Sequence, residues 1–118
     1  MTSKIFDSEL RLLELIWNYE PVSAKDISLY AEKEIGWNKN TTYTILKKLE
    51  AKGCILREDP GYICKSLVSR EQVQKNETRT LIDKLFKGSR KALFSSLLSD
   101  ETITDSELEE LKKLIDRR

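Results

Sequence analysis

The chain has 118 residues, of which 35% are charged and 39% hydrophobic, and its formal net charge is +1. This length fits one small domain, or one small domain with an appended helical arm, and the apolar content argues against intrinsic disorder. No apolar run reaches the roughly 20 residues that span a bilayer, and no basic and then apolar signal pattern opens the chain. We therefore expect a cytoplasmic protein.

The chain contains no histidine and only two cysteines, Cys54 and Cys64. Histidine is the commonest general base and a frequent zinc ligand, and two thiols are too few for a thiolate metal site. The sequence also lacks a glycine-rich phosphate loop and a nucleophile paired with a base. We therefore expect no enzyme, no metal centre and no cofactor, and we expect both cysteines to be small buried residues.

Apolar residues at steps of three and four predict three helices in the first half of the chain. Each predicted helix has a polar cap at its start and a proline or glycine at its end. The helices are expected from Asp7 or Ser8 to Glu20, from Ser23 to Gly36, and from Asn38 to Gly53.

The pattern changes after the third helix. Two β-prone runs, Cys54–Arg57 and Tyr62–Leu67, flank an Asp-Pro-Gly turn and predict a hairpin. Capping signatures at Ser69 and Thr104, with a break at Gly88, then predict further helices. The sequence therefore predicts a mainly α fold with a small β-hairpin: a winged helix-turn-helix DNA-binding domain at residues 1–68 and a helical dimerisation arm at residues 69–118.

The third helix is the candidate for DNA contact. Its inner stripe is predicted to be Thr42, Ile45, Leu46 and Leu49, which fixes the face opposite as the exposed one. Asparagine can bond an adenine edge, threonine can bond a base or touch a thymine methyl, and lysine can reach guanine or phosphate. The predicted DNA-binding residues are Lys39, Asn40, Thr41, Tyr43, Thr44, Lys47 and Lys48 on this helix, and Arg57 on the wing.

Charge supports this interpretation for the helix more than for the wing. Between Gly36 and Arg57 the chain has five basic residues and one acid, Glu50. An ordinary polar surface helix would explain the same composition, because basic clusters are often only solvated faces. The wing tip carries Glu58 and Asp59, and two acids oppose phosphate binding.

The arm carries many large apolar residues and has no sheet to cover. A second copy of the arm would bury them symmetrically, and the alternative is that the arm folds back on its own head. Paired heads would read two half-sites about 10 base pairs, or a multiple of that, apart. The predicted dimerisation residues are Leu81, Leu85, Phe86, Leu93, Phe94, Leu97, Leu98, Leu108, Leu111 and Ile115.

Ordered motifs along nearly the whole chain resemble the penicillinase-repressor (BlaI/MecI) family. Single motifs are weak, whereas their order and spacing are fairly specific. The motifs are Ser8-Glu9-Leu10, Leu15-Ile16-Trp17, Ser23-Ala24, Trp37 followed by Thr41 and Thr44, Leu49, Lys52-Gly53, Leu67-Val68-Ser69, Phe86-Lys87-Gly88-Ser89 and Glu107-Leu108-Glu109-Glu110-Leu111.

The resemblance implies a dimeric repressor that binds double-stranded DNA at an inverted-repeat operator and blocks transcription. In that family a membrane-bound sensor detects a β-lactam, and the repressor is then cut within its arm. The family's Asn-Phe cleavage pair aligns with Ser96 and Leu97, so the resemblance makes this the candidate cleavage bond although different residues stand there.

Other departures from the family pattern concern the reading helix and metal sensing. Family members often begin this helix with Ser-Pro-Lys-Thr, whereas this chain has Asn38-Lys39-Asn40-Thr41, and Tyr43 stands where a basic or polar residue is common. The operator bases, or the side chains that read them, are therefore expected to differ. No cysteine follows Cys64, which disfavours the copper-sensing branch.

A winged-helix protein-interaction module that does not bind DNA is the alternative from another functional class, because a fold does not fix a function. It predicts a weak response to DNA that is insensitive to salt.

Overall fold

The computed structural model describes residues 4–118. Three helices precede a β-hairpin, a short third strand lies between the first two helices, and three further helices follow the hairpin. This confirms the predicted mainly α fold with a winged helix-turn-helix head. In chain order the elements are α1 (Asp7–Tyr19), β1 (Val22–Ser23), α2 (Ala24–Glu34), α3 (Lys39–Ala51), β2 (Ile55–Glu58), β3 (Ile63–Ser66), α4 (Arg70–Phe86), α5 (Arg90–Leu98) and α6 (Asp105–Asp116).

The helix starts follow the predicted caps, with one exception. The Ser23 hydroxyl accepts a hydrogen bond from the Asp26 amide (3.0 Å), and Asn38 Oδ1 accepts one from the Thr41 amide (2.8 Å). These side chains satisfy amides that a helix leaves unpaired at its first turn. The predicted start of α1 at a cap on Asp7 or Ser8 was wrong, because the residue in the cap position is Phe6.

The Phe6 amide donates to Glu9 Oε1 at 2.8 Å, so the acid in the first turn of α1 pairs the amide of the cap residue. The Phe6 side chain has no acceptor, so it cannot form the bond to a first-turn amide that a serine or aspartate cap would form. The Glu9 side chain is held for this role by Lys52, whose Nζ lies 2.6 Å from the same oxygen. Glu9 is 1% exposed, and the ion pair compensates part of the cost of burying its charge. This contact joins the start of α1 to the end of α3.

The sheet has three strands in the order β1-β3-β2, all antiparallel. The predicted hairpin is formed by β2 and β3, in which Arg57 lies opposite Cys64. Strand β1 was not predicted, because its two residues are too few for an alternating pattern. It pairs Val22 with Cys64, and so it anchors the wing to the segment between α1 and α2.

The chain divides into two compact units, one reaching to Glu77 and the other formed by Thr78–Arg118. The division falls inside α4, whereas the sequence placed the boundary between residues 68 and 69. The first turns of α4 belong to the first unit because Val73 is buried in its core and Glu77 accepts a hydrogen bond from the Ile5 amide (3.2 Å). We call the first unit the head and the second unit the arm.

The head has a closed apolar core formed by α1, α2, α3 and the sheet. The stripe predicted for α3 is confirmed, since Thr42, Ile45, Leu46 and Leu49 are all buried. Within residues 4–118 no helix is both long and apolar enough to cross a membrane.

Candidate nucleic-acid interface

The outer face of α3 is a surface of polar and basic side chains. Because the stripe on its other side is buried in the core, the helix cannot rotate and the outer face is fixed toward solvent. The structure brings the predicted helix residues together on this surface, where Tyr43 is half-buried and the others are exposed. The exposed residues are Lys39, Asn40, Thr41, Thr44, Lys47 and Lys48.

Hydrogen bonds within α3 restrict some of these side chains. The Thr44 hydroxyl donates to the Asn40 carbonyl at 2.9 Å, which leaves the hydroxyl oxygen available as an acceptor. Asn38 is committed to the cap and is removed from the set that can bond a base. Asn40 and Thr44 lie one helical turn apart, so both can address the same groove.

The charge on α3 is positive. Residues 39–51 include three lysines and one acid, Glu50, which lies near the end of the helix. The next lysine along, Lys52, bonds Glu9 and the Lys4 carbonyl at 2.7 Å, so its ammonium group is already occupied. The lysines that can meet phosphates are therefore those on the outer face.

The wing is electrostatically neutral because each of its bases is paired with one of its acids. Arg57 Nε lies 3.2 Å from Asp59 Oδ1, and Lys65 Nζ lies 3.0 Å from Glu58 Oε1. The two acids that opposed a wing contact in the sequence thus occupy the two bases. Arg57 would have to exchange or share Asp59 to bind a phosphate.

A chain of ring contacts links α3 to the wing. The Lys39 ammonium lies 5.7 Å from the Tyr43 ring centre, and the Tyr43 ring meets the Tyr62 ring edge to face at 5.9 Å and 83°. The Arg57 guanidinium lies over the Tyr62 ring, 3.9 Å from the ring centre. Tyr62 is not among the residues predicted for the site, because the sequence places it only within the second β-prone run.

The Tyr62 hydroxyl is buried and has no hydrogen-bond partner within the part of the chain that the structure describes. Burial raises the pKa of Tyr62, and the negative charge of Glu50 raises it further. Tyr62 therefore stays neutral, and its contribution to the site is that of an aromatic ring.

The two cysteines are buried with free thiols, as predicted. Burial raises the pKa of the Cys64 thiol to about 11 and that of Cys54 in the same direction. A thiol with a raised pKa is a poor nucleophile and a poor metal ligand at neutral pH. Among residues 4–118 there is no cluster of three or more cysteine, aspartate or glutamate side chains that could hold a metal.

The arm presents an apolar surface to solvent. Of the residues predicted for dimerisation, Leu93, Leu108 and Phe86 are half-buried and the remaining ones are exposed. The exposed ones are Leu81, Leu85, Phe94, Leu97, Leu98, Leu111 and Ile115, and Leu114 joins them. Phe94, Leu98, Leu111, Leu114 and Ile115 line an open groove of about 370 Å³ together with Arg118. We call this groove the arm groove.

The candidate cleavage pair lies in the last turn of α5. Ser96 and Leu97 are both exposed, and their carbonyls accept hydrogen bonds from Ser99 Oγ (3.1 Å) and the Asp100 amide (3.3 Å). The bond is accessible but helical, so a protease that needs an extended substrate would have to unwind this turn.

Comparison with known proteins agrees with the resemblance seen in the motifs. The family model described as penicillinase repressor matches residues 5–117. The methicillin resistance regulatory protein MecI of Mammaliicoccus sciuri is 25% identical over 119 residues, which cover 99% of this chain and 97% of that protein. The penicillinase repressor of Staphylococcus aureus is 24% identical over 110 residues, covering 92% and 87%.

A solved structure of a Listeria innocua Clip11262 protein with unknown function covers 97% of this chain and 72% of its own, at 22% identity and a TM-score of 0.49. The family match spans nearly the whole chain, head and arm included. The chain belongs to the penicillinase repressor family, whose members are transcriptional repressors and not enzymes.

Proposed function

We propose that this chain is a dimeric repressor that binds an inverted-repeat operator with the outer face of α3. The observation that carries the proposal is this face itself: it is rigidly set by a buried stripe, it is rich in lysine and hydrogen-bonding groups, and its one acid lies near its far end. Such a helix matches the major groove, where donors and acceptors on base edges can be read.

The residue roles follow from the geometry of the face. Asn40 and Thr44, one turn apart, are proposed to contact base edges, and Thr41 lies beside them at the start of the helix. Lys39, Lys47 and Lys48 are proposed to contact phosphates or guanine, and Tyr43 to contact phosphate or sugar. Arg57 is proposed as a backbone contact of the wing, which competes with its ion pair to Asp59.

The arm, Thr78–Arg118, is proposed to supply the dimer interface. The proposed division of function assigns DNA binding to residues 1–68 and dimerisation to residues 69–118, which include the arm. Its exposed apolar side chains and the arm groove support this assignment. Two identical heads related by a twofold axis match an operator whose two halves are inverted copies.

The relatives suggest what such a repressor controls. One is named as a methicillin resistance regulatory protein and another as a penicillinase repressor. We propose that this chain also controls β-lactam resistance genes, and that a pathway with a membrane-bound sensor protease releases it by cutting the arm, with Ser96–Leu97 as the candidate bond. The expected cytoplasmic location follows, because a repressor acts where the DNA lies.

The test begins with selection of duplexes from a random double-stranded DNA pool by the full-length protein. We expect enriched sequences to be inverted repeats, and we expect Lys47→Ala to weaken binding to all duplexes and to reduce the slope of log affinity against log salt by about one unit. Lys75→Ala, which removes a lysine paired with Glu71 on α4, is the matched control and should leave the slope unchanged.

Failure to enrich any sequence, together with weak binding that salt does not change, would contradict the repressor and favour the protein-interaction module. Enrichment of a sequence without internal symmetry would retain DNA binding but contradict the paired-head arrangement.

A further inference from the structure

The ring contacts between α3 and the wing suggest how the two elements are held together, and this inference rests on the proposed DNA binding. We propose that Tyr62 is a specificity-determining positioning residue, whose ring fixes Tyr43 on α3 and Arg57 on the wing so that the two elements meet DNA as one rigid unit. Tyr62 itself does not touch DNA in this proposal; it acts through its two neighbours.

The geometry places one ring between two candidate DNA contacts. Tyr43 meets the Tyr62 ring at 5.9 Å with an interplanar angle of 83°, which is the edge-to-face arrangement that aromatic pairs favour. The Arg57 guanidinium stacks on the ring at 3.9 Å, a favourable cation–π distance. Loss of the ring would release both neighbours together.

The backbone of Tyr62 has a strained conformation. Tyr62 has a φ of +50°, a left-handed conformation that a residue with a bulky side chain rarely adopts, and it follows Gly61 at +94°. The Tyr62 carbonyl accepts a hydrogen bond from the Ala24 amide (2.8 Å) at the start of α2, which holds the backbone in place. A glycine or asparagine would fit this conformation with less strain.

The hydroxyl does not explain the tyrosine either. It is buried close to the Glu50 carboxylate and forms no well-aligned hydrogen bond within the described residues, so little offsets its desolvation. Neither the backbone nor the hydroxyl therefore favours tyrosine at this position. The ring packs against the core of the head, and its contacts with Tyr43 and Arg57 lead from there to two residues of the candidate interface.

Positioning by Tyr62 matters because Tyr43 and Arg57 each also contact another side chain. Tyr43 is a half-buried side chain on the outer face of α3, and the ammonium of the exposed Lys39 lies 5.7 Å from its ring centre. Arg57 is paired with Asp59, which lies in the turn. Tyr43 and Arg57 both contact the Tyr62 ring, so the ring correlates the orientation of one with that of the other.

The experiment compares Tyr62→Leu with Tyr62→Phe in the full-length protein. The phenylalanine variant keeps the ring and removes only the unpartnered hydroxyl, so it is the matched control. Fluorescence anisotropy would measure affinity for a duplex selected by the wild-type protein and for a scrambled duplex of the same composition. The readout is the ratio of the two affinities.

We expect Tyr62→Leu to lower the ratio by about threefold to tenfold, the range that corresponds to loss of an aromatic pair. Tyr62→Phe should keep the wild-type ratio. Affinity for the scrambled duplex should fall by a smaller factor in Tyr62→Leu. The phosphate and sugar contacts of Tyr43 and Arg57 set the register in which Asn40 and Thr44 meet the bases, and a scrambled duplex has no such register to lose. A merely structural role for Tyr62 would instead reduce both affinities by the same factor.

If Tyr62→Leu does not fold, Tyr43→Leu removes the same contact from the helix side and should lower the ratio of the two affinities in the same way. If both variants fold, a double-mutant cycle joins them. If Tyr62 acts through Tyr43, the two single variants lose the same contact, so the double variant loses less than the sum of the two single losses. Additive losses would overturn the positioning role.

The outcomes separate this proposal from the function on which it rests. If the wild-type protein distinguishes no duplex from another, the proposed DNA-reading function fails and this proposal with it. If the wild-type protein distinguishes them and both Tyr62 variants have the same ratio as the wild type, only the positioning role is overturned.

Discussion

The head and the arm have equally good helix signals and very different packing. Thr104 and Ser89 cap α6 and α5 in the same way as Ser23 and Asn38 cap α2 and α3. In the head, however, each of the first three helices buries four or more residues, whereas α5 and α6 contain no buried residue. Local signals therefore make helices in both regions, and only the head closes a core by itself.

This difference fits the separate roles that are proposed for the two regions, DNA binding by the head and association by the arm. In the proposed function, the core of the head holds the outer face of α3 in the one orientation that contact with a DNA groove requires. The arm leaves large apolar side chains exposed, and burial of each contributes roughly 1.5–3 kcal/mol, so a surface that can cover them is favoured. A second copy of the same arm supplies such a surface, which fits the proposed dimer.

The largest expected effect is a cavity in the head. Leu46→Ala removes a fully buried side chain and should lower the free energy of unfolding by about 2–5 kcal/mol. Leu98→Ala, at an exposed position of the arm, should change the stability of the monomer by less than about 0.5 kcal/mol. Urea titration followed by tryptophan fluorescence measures the head alone, since both tryptophans, Trp17 and Trp37, lie in it. Equal losses would erase the contrast between the regions.

The next effect is on association. Leu98→Asp combined with Ile115→Asp places charges in the arm groove, and we expect the dimer dissociation constant to rise at least about a hundredfold. Ser96→Asp adds one such charge on the opposite side of α5, outside the arm groove, and should have a small effect. Sedimentation velocity over a concentration series would measure this. Dimers that persist in the double variant would place the interface outside the arm groove.

Discrimination between operator sequences is expected to change by smaller free energies than the effects above. Asn40→Ala and Thr44→Ala should each lower discrimination between the selected and a mismatched duplex by about 1–3 kcal/mol, because each removes a proposed base contact. Thermal unfolding of these variants should match that of the wild type, since both side chains are exposed. Unchanged discrimination in both variants would contradict the assignment of α3 as the reading helix.

The smallest effect concerns pH. Because burial raises the pKa of Cys64 to about 11, the native head holds this proton more tightly than the unfolded chain, whose thiol titrates near 9.0. The associated stability is present below pH 9 and is lost as the pH rises toward 11. Over that interval the wild type should lose about 1–2 kcal/mol more than Cys64→Ala. Identical pH profiles would show that the thiol is not protected by the core.

The sequence predicted the helices and the hairpin because their signals are local: caps, apolar spacing and a turn tripeptide. It missed β1, whose two residues become a strand only through pairing with β3. It also missed Phe6 as the first cap, because the capping carboxylate of Glu9 is positioned by Lys52 from another helix. The predicted face of α3 followed from its buried stripe, which is again a local pattern.

The contact of Tyr62 with Tyr43 was out of reach of the sequence for a different reason. It depends on a left-handed backbone at residue 62 and on the placement of the wing beside α3, and neither leaves a pattern in the chain. The packing of the first half of α4 on the head was hidden in the same way. Local patterns therefore predict the residues on the outer face of α3, whereas tertiary contacts add residues such as Tyr62 that no local pattern identifies.

The central claim is that two copies joined by their arms present two α3 faces to one operator. Sedimentation equilibrium of the full-length protein, alone and with a selected inverted-repeat duplex, tests it most directly. We predict a dimer at micromolar concentration and a complex of two chains on one duplex. A strictly monomeric protein that binds a single half-site as tightly as the full repeat would contradict the account.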